Sequence, residues 1–204
     1  PALVFHAAAL KHVLVVELQP CEGILTNAIG TRNVADAANA FAAEAMVLIS
    51  TDKAVSPSGV MGASKRMASL IVMDAARRSA RAFMVVRFGN VLGSRGSVVP
   101  VFKAQIERGG PVTITHPEMK RFFMTIFEAV HLVLHAGGIG KGGELFVLNM
   151  GEPVRIMDLA QDLIRLSGFT SEDIPVITCG IRPGEKLEEK LWENAAKVEP
   201  TSHP

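Results

Sequence analysis

The chain has 204 residues and a mass of 21.8 kDa, which is enough for one domain or for one domain with a small additional lobe. Its 21 basic side chains balance its 20 acidic ones, so composition gives no reason to expect a nucleic-acid partner. The mean hydropathy of +0.29 is high, but no apolar run approaches the ~18 residues that a membrane helix needs. We therefore expect no membrane contact by this chain.

Short apolar runs alternate with helical patterns in the first half of the chain. The runs "LVFH" (3–6), "MVLIS" (46–50) and "FMVVRF" (83–88) are continuous, as in parallel strands that are covered on both faces. Between them, small and apolar residues recur at helical spacing over 22–44 and 62–80. This alternation predicts an α/β fold with a doubly wound parallel sheet. In such sheets the functional loops follow the carboxyl ends of the strands.

The pattern changes after Gly109. Two short strand patterns, "PVTIT" and "ELFVLNM", are accompanied by the glycine-rich turns of "AGGIGKGG" and by helical patterns over 126–137 and 155–167. We interpret this half as a smaller α/β lobe that covers the crevice at the sheet. The predicted division is therefore 1–110 for the sheet domain and 111–204 for the lobe.

The cysteines and the termini indicate the setting of the chain. Cys21 and Cys179 lie far apart and match no metal-ligand spacing, as expected of unpaired thiols in a reducing compartment. Cytoplasm is therefore the expected localisation. The chain begins inside an apolar run and ends on the polar "VEPTSHP", so we expect both ends to be cuts through a longer protein.

Thr51, Asp52 and Lys53 of "STDKAV" follow the second predicted strand at once. Met61 and Lys65 are four residues apart at the start of the next predicted helix, and hence lie on one face of it. All five residues can converge at the strand end, where an active site is expected. Taken alone, the same residues also fit a solvated Asp–Lys pair and a surface lysine.

At this point the chain resembles the extended short-chain dehydrogenase/reductase superfamily, in which this helix carries Tyr-x-x-x-Lys. Here "MGASK" places Met61 where the tyrosine should be, and the chain contains no tyrosine. Together with "STDKAV", "GNVLGSRGSVVP", "THPEMKRFFMT" and "RPGEK" in this order, the methionine is similar to the CapD-like polysaccharide-biosynthesis branch. Within that branch, the chain resembles the large, membrane-anchored UDP-N-acetylglucosamine 4,6-dehydratases, which work at the cytoplasmic face of the inner membrane.

The resemblance implies a reaction that uses NAD and a UDP-sugar. NAD would take the C4 hydride, water would be lost across C5 and C6, and the hydride would return to C6. By this resemblance Asp52 protonates the leaving C6 hydroxyl, Lys53 takes the C5 proton and Thr51 holds the C4 oxygen. Lysine can act as a base only where its surroundings lower its pKa by several units. Because Met61 cannot transfer a proton, the triplet would take over the function of the missing tyrosine.

The resemblance also implies that this chain is the C-terminal part of a Rossmann-like, NAD-binding domain followed by a UDP-sugar lobe. Its implied cofactor-binding residues are Ala7, Ala8, Ala9, Asn27, Lys65 and Arg87. No glycine-rich dinucleotide motif lies between a predicted strand and helix, so the pyrophosphate site is expected in an upstream part. The isolated chain is therefore not expected to retain NAD or to turn over.

The predicted sugar-nucleotide site draws on four separate segments. Arginines and backbone amides at a helix start, here near Ser97, suit a diphosphate. Glu185 is assigned to the uridine ribose. The substrate-binding residues implied by the resemblance are Lys11, His12, Asn90, Arg95, Arg121, Arg182 and Glu185.

Two other functions fit the same sequence. A nucleotide-sugar 4-epimerase would return the hydride to C4 without elimination, and so would not need Asp52 and Lys53. A non-catalytic nucleotide-sugar sensor or scaffold would explain the missing tyrosine. In each case a sheet that lacks its first strands would expose an apolar edge, so we expect a homo-oligomer.

Overall fold

The computed structural model describes residues 2–203, which form ten β-strands and seven α-helices. The strands are β1 (Leu3–His6), β2 (Ala45–Thr51), β3 (Ala82–Phe88), β4 (Asn90–Val91), β5 (Val112–Ile114), β6 (Lys120–Arg121), β7 (Phe123–Met124), β8 (Leu145–Val147), β9 (Val154–Arg155) and β10 (Val176–Thr178). The helices are α1 (Val13–Leu18), α2 (Pro20–Ile24), α3 (Gly30–Ala40), α4 (Val60–Ser79), α5 (Val98–Glu107), α6 (Ile126–Ile139) and α7 (Ile156–Leu166).

The main sheet has four parallel strands in the order β1-β2-β3-β8. Its central strands, β2 and β3, are buried along most of their length, which explains their continuous apolar sequences. The predicted doubly wound α/β fold is confirmed, with helices on both faces of a parallel sheet. Thr51 and Phe88 are paired at the carboxyl ends of β2 and β3, so the residues that follow them start side by side.

The two faces of the sheet have separate apolar cores. On one face α3 and α4 pack through small residues such as Ala35 and Ala68 against Leu48 and Phe83. On the other face α6 packs through Ala129, Val133 and Ala136 against alternate residues of β2 and β3. Small residues on the helices let them lie close to the large side chains of the strands.

Two helical predictions need correction. The predicted glycine-rich turn over 136–143 is wrong at its start, because α6 continues to Ile139. A Cβ at Gly137 would lie 3.2 Å from Val47 Cγ2, so glycine allows this close approach of helix and sheet. The predicted helix over 22–44 is divided by a π-helical turn at Leu25–Ile29. The short helix α1 has no counterpart in the prediction.

A third apolar cluster lies outside the main sheet, between α5 and α7 and around β5 and β10. The chain between these elements returns to the main sheet as α6 and β8. The two structural groups therefore do not divide cleanly at residue 110. Within residues 2–203, no helix is long and apolar enough to cross a membrane.

Candidate active site

The residues after β2 form a tight turn. Thr51 is the last residue of β2, and a 3-10 turn over Asp52–Ala54 follows it. The Thr51 hydroxyl donates a hydrogen bond to Asp52 Oδ1 at 3.0 Å and accepts one from the Lys53 backbone N–H at 3.4 Å. Asp52 is fully buried, so the predicted triplet is not a solvated surface loop.

Asp52, Lys53 and Asn90 form one hydrogen-bonded group. Lys53 Nζ donates to Asp52 Oδ1 at 2.9 Å and to Asn90 Oδ1 at 3.1 Å. The Lys53 side chain is 21% exposed, whereas that of Asp52 is 0% exposed. Lys53 therefore connects the buried carboxylate to the surface. A buried ion pair of this kind is costly to desolvate and is weak evidence for stability, which favours a functional reason for it.

One oxygen of the buried carboxylate is free. Within residues 2–203, Asp52 Oδ2 has no hydrogen-bond partner. It faces Gly89, where a Cβ would lie 3.1 Å from Oδ2 and 2.8 Å from the Phe122 Cβ. Glycine at position 89 therefore lets the backbone and Phe122 lie close to this buried oxygen. Buried carboxylate oxygens are normally hydrogen-bonded, so the exception points to a functional group.

Met61 and Lys65 both lie on the buried face of α4, as their spacing predicts, at 3% and 6% exposure. Lys65 Nζ donates to the Ile49 carbonyl at 2.6 Å. Burial lowers the pKa of the Lys65 ammonium to about 8. A Cβ at Gly62 would lie 2.2 Å from the Lys53 carbonyl oxygen, so glycine brings α4 against the turn over Asp52–Ala54.

His6, at the end of β1, is buried and belongs to the same neighbourhood. Its Nε2 lies 3.0 Å from Thr31 Oγ1, and the Thr31 hydroxyl donates to the Asn27 carbonyl at 2.6 Å. Because that hydroxyl hydrogen is already used, His6 Nε2 must be the donor. Burial lowers the pKa of the His6 imidazole, and the positive charge of Lys65 lowers it further. His6 is therefore neutral at physiological pH.

Asn27 lies in the π-helical turn and is fully buried. Its side chain accepts from the Leu10 N–H at 2.7 Å and donates at 2.9 Å to the Leu10 carbonyl and to the Ser64 hydroxyl. The Ser64 hydroxyl donates in turn to the Met61 carbonyl at 2.8 Å. Asn27 thus ties the loop after β1 to the start of α4. Its assignment to the cofactor site stays a prediction.

The loops after β1 and β3 meet. Lys11 Nζ donates to Ser94 Oγ at 3.2 Å, and the His12 ring lies against Gly96, where a Cβ would be 2.6 Å from His12 Cε1. Lys11 and His12 therefore lie against the loop after β3, which contains Arg95. Before them, the alanines at positions 7 and 8 are exposed and the alanine at position 9 is half-buried.

The predicted phosphate-binding arginines have different surroundings. Arg95 and Arg182 are exposed. Arg121 is 7% exposed, and its guanidinium donates three hydrogen bonds of 2.7–3.1 Å to the carbonyls of Lys120, Lys186 and Leu187. Arg121 therefore binds the backbone of the "RPGEK" segment and has few donors left for a phosphate. Glu185 accepts from the Arg182 N–H at 3.2 Å, in a turn.

Arg87 contacts the C-terminal segment, and its assignment to the cofactor stays a prediction. The Arg87 guanidinium donates through one terminal nitrogen to the Leu191 carbonyl at 3.0 Å, and its Nε is buried without a partner among the described residues. Burial lowers the pKa of this guanidinium, and the nearby carboxylates of Glu193 and Asp52 act in the opposite direction.

Sequence reasoning missed two side chains at the site. Lys186 and Glu189 line a small cavity of about 10 Å³ together with Lys53 and Met61. Lys186 Nζ donates to the Val55 carbonyl at 2.6 Å and to Glu189 at 3.3 Å. The signal that could have identified them is the position of Lys186 at the end of "RPGEK".

Comparison with known proteins decides the family. The sequence profile of the family described as "Polysaccharide biosynthesis protein" matches residues 1–204. The chain belongs to this family. It is 59% identical over 191 residues to the probable polysaccharide biosynthesis protein EpsC of Bacillus subtilis, and 58% identical over 192 residues to the capsular polysaccharide biosynthesis protein CapD of Staphylococcus aureus. Both alignments cover 94% of this chain but only 32% of the relative, so the chain spans about a third of their length.

Other members and neighbours of the family carry different activities in their names. The chain is 43% identical to a UDP-glucose 4-epimerase of Rickettsia canadensis, with 96% of this chain and 58% of the relative covered. Among solved structures it resembles Pen from Bacillus thuringiensis, with a TM-score of 0.87 and 41% identity. The match covers 93% of this chain and 59% of Pen. It also resembles DesIV, a dTDP-glucose 4,6-dehydratase from Streptomyces venezuelae, with a TM-score of 0.85 and 19% identity. The match covers 93% of this chain and 64% of DesIV, and at this identity it supports the fold alone. The relatives and neighbours that carry an activity in their names are thus named for two different reactions of nucleotide sugars, epimerisation and dehydration.

Proposed function

We propose that this chain carries the catalytic residues of an NAD-dependent enzyme that converts UDP-N-acetylglucosamine to a UDP-4-keto-6-deoxy sugar. The observation that supports this activity most directly is the Asp52–Lys53 pair. The carboxylate is fully buried, one of its oxygens has no hydrogen-bond partner within residues 2–203, and the amine is half-buried at 2.9 Å from the other oxygen. An elimination needs an acid and a base within reach of one hexose, and this pair offers both.

The proton transfers of the elimination step balance on this pair. In the ionised pair the shared proton is on Lys53, and its shift along the hydrogen bond to Asp52 gives a carboxylic acid and a neutral amine. The amine accepts the C5 proton and the acid protonates the C6 hydroxyl, so the C5=C6 bond forms as water leaves. The pair is then ionised again. The C4 hydroxyl proton passes to solvent, and solvent returns a proton to C5.

Thr51 fits the position of a group that holds the C4 oxygen. Its hydroxyl is at the end of β2 and donates to Asp52 Oδ1, so its lone pairs remain able to accept a hydrogen bond from the sugar. Met61 is buried against the same turn and supplies no proton. The acid–base chemistry is therefore assigned to Asp52 and Lys53 rather than to α4.

The residues present fit a dinucleotide. When bound, NAD would accept the C4 hydride and return it to C6. The small residues Ala7, Ala8 and Ala9 leave the backbone after β1 approachable, and Lys65 is held at the end of β2 by the Ile49 carbonyl. The buried Lys65 ammonium would bind a ribose hydroxyl and place positive charge near the reacting carbon.

The proposal is tested by proton NMR of UDP-N-acetylglucosamine in D₂O with the full-length protein that contains this chain. We expect a 4-keto-6-deoxy sugar that carries deuterium at C5. The Asp52→Asn/Lys53→Ala variant should give no product, and it removes both charges so that neither is left buried alone. Asp74→Asn, at the exposed end of α4, is the matched control and should react as the wild type does. A bound but unchanged sugar with the wild-type protein contradicts the proposal.

A 4-epimerase is the second candidate, because the chain is 43% identical to a protein named UDP-glucose 4-epimerase. Epimerisation inverts C4, retains the C6 hydroxyl and exchanges no proton at C5. The same NMR experiment therefore separates the two reactions. An inverted C4 with an intact C6 hydroxymethyl group would support the epimerase and would leave the buried Asp52–Lys53 pair without a role in acid–base catalysis.

A further inference from the structure

The loop that joins the catalytic turn to α4 is held mainly by a distant segment. Residues 55–59 connect Asp52–Ala54 to the helix that carries Met61 and Lys65. Ser56 in this loop has φ of +38°, a left-handed conformation that is unfavourable for a residue with a side chain. Such a conformation persists only where the surroundings fix it.

Residues 184–193, which we call the C-terminal strap, supply these fixed contacts. Glu193 accepts hydrogen bonds from the Ser56 N–H at 2.9 Å and from the Ser56 hydroxyl at 2.5 Å. The Gly184 carbonyl accepts from the Ser58 hydroxyl at 2.9 Å. Lys186 donates to the Val55 carbonyl at 2.6 Å. Three residues of the strap thus hold three residues of the loop.

Glu193 also connects the loop to α4, and its neighbour Leu191 connects the strap to β3. Arg66 on α4 donates to Glu193 at 2.5 Å, one residue beyond Lys65. The Leu191 carbonyl of the strap accepts from Arg87 at the end of β3. The loop, α4 and β3 therefore meet at one carboxylate and its neighbouring backbone.

These contacts cannot be explained by global stability alone. The side chains of Arg66 and Glu193 are 46% and 36% exposed, and exposed ion pairs stabilise a fold by only ~0–1 kcal/mol. We attribute to these contacts a local effect on the position of the loop, because misplacing a catalytic group by ~1 Å can lower the rate by ~100-fold. The Ser56 hydrogen bonds hold the pKa of the Glu193 carboxyl at about 2, so the contact persists throughout the physiological range.

We propose that Glu193 is a positioning residue for the catalytic turn, through Ser56 and Arg66. This inference rests on the proposed function of Asp52 and Lys53, and it assigns to Glu193, though not to the whole strap, a role in turnover rather than in sugar binding. Without the carboxylate, Ser56 leaves the left-handed conformation and the turn loses its fixed relation to α4.

The test compares Glu193→Ala, Glu193→Gln and the control Asp74→Ala in the full-length protein. Asp74 is a carboxylate with two arginine partners on the same helix, far from the loop. We expect Glu193→Ala to lower kcat by ~10-fold or more, with KM for the UDP-sugar within threefold. Glutamine can still accept from Ser56 N–H, so Glu193→Gln should recover most of kcat. A kcat for Glu193→Ala within twofold of the wild type overturns the proposal.

Two further measurements keep the inference separate from folding and from the proposed function. If Glu193→Ala does not fold, Arg66→Met removes only one contact, and its kcat should fall by a few-fold with KM unchanged; an unchanged kcat overturns the proposal. Amide hydrogen exchange over 53–60 should rise in Glu193→Ala and not in Asp74→Ala. That readout needs no activity, so it decides the role of Glu193 even if the wild-type protein forms no deoxy sugar. Unchanged exchange in a folded Glu193→Ala also overturns it.

Discussion

The turn after β2 and the segments that carry the predicted phosphate-binding residues are held in opposite ways. Asp52 is fully buried and is hydrogen-bonded to Thr51 and Lys53 within its own turn. Arg95 and Arg182 are exposed on loops. The turn residues expected to act on the sugar are therefore fixed by folding, whereas Arg95 and Arg182 are not; the buried Arg121 resembles the turn in this respect.

This difference has an energetic meaning. An exposed arginine keeps ~2 kcal/mol of rotamer entropy, which a ligand must overcome when it orders the side chain. A buried carboxylate has already lost its rotamer entropy on folding, so a ligand that binds to it does not have to order the side chain. Changes at the turn should therefore appear in kcat and in stability, and changes at the exposed arginines should appear in KM.

The largest effect is expected at Asp52. Asp52→Asn keeps the shape and the hydrogen bonds to Oδ1 but cannot donate a carboxylic proton. Removal of a general acid costs roughly 10²–10⁴-fold in rate, so kcat should fall by that factor while KM changes little. Steady-state assays of product formation measure both constants. A kcat within threefold of the wild type would contradict the contrast between the two regions, because the buried turn would then not control kcat.

Lys65 gives the next largest effect, on stability. Its pKa is lowered from 10.5 to about 8 by burial, so between these values the unfolded chain binds more protons than the folded one. Stability should therefore rise as pH increases from about 8 to about 10.5, by up to ~3 kcal/mol. Urea unfolding at several pH values should show this rise in the wild type, and a smaller rise in Lys65→Met. Equal slopes in both proteins would mean that Lys65 is not desolvated as described.

Gly62 tests the contact between α4 and the catalytic turn. A Cβ at this position meets the Lys53 carbonyl oxygen, which is backbone and cannot rotate away. Gly62→Ala should therefore destabilise the fold by ~1–3 kcal/mol. Gly138→Ala on α6 is the matched control, because nothing lies within 4 Å of its Cβ, and alanine there should stabilise the helix by ~0.5–1 kcal/mol. Thermal unfolding of both variants decides whether the close contact or the helix propensity dominates.

The sequence pattern predicts the sheet and the position of the turn after β2 well, because both depend on local order. The apolar runs at 46–50 and 83–88 place polar residues at adjoining strand ends, and the spacing of Met61 and Lys65 places them on one helix face. Burial of both side chains follows from that face. Nothing beyond strand periodicity and helix geometry is needed for these predictions.

The contacts that the pattern could not predict join residues far apart in the chain. Glu193 bonds to Ser56 across 137 residues, and Lys186 bonds to Val55 across 131. No periodicity encodes such pairs. Arg121 is assigned to a phosphate by the family resemblance, and that assignment stays a prediction; the hydrogen bonds from its guanidinium to backbone carbonyls have no sequence signal either. The π-helical turn around Asn27 likewise has no sequence signal of its own.

The smallest effect is expected at Arg182, which represents the exposed arginines in the contrast with the buried turn. The side chain is exposed, so Arg182→Ala should leave unfolding unchanged and remove one charge-assisted contact to the diphosphate. We expect KM for the UDP-sugar to rise about tenfold with kcat within twofold, since such contacts contribute ~1.5–3 kcal/mol. Arg165→Ala on α7, also exposed, is the control and should change neither constant. If Arg182→Ala lowered kcat without raising KM, the "RPGEK" segment would act on the reaction itself, and the division between a fixed catalytic turn and ligand-ordered arginines would not hold.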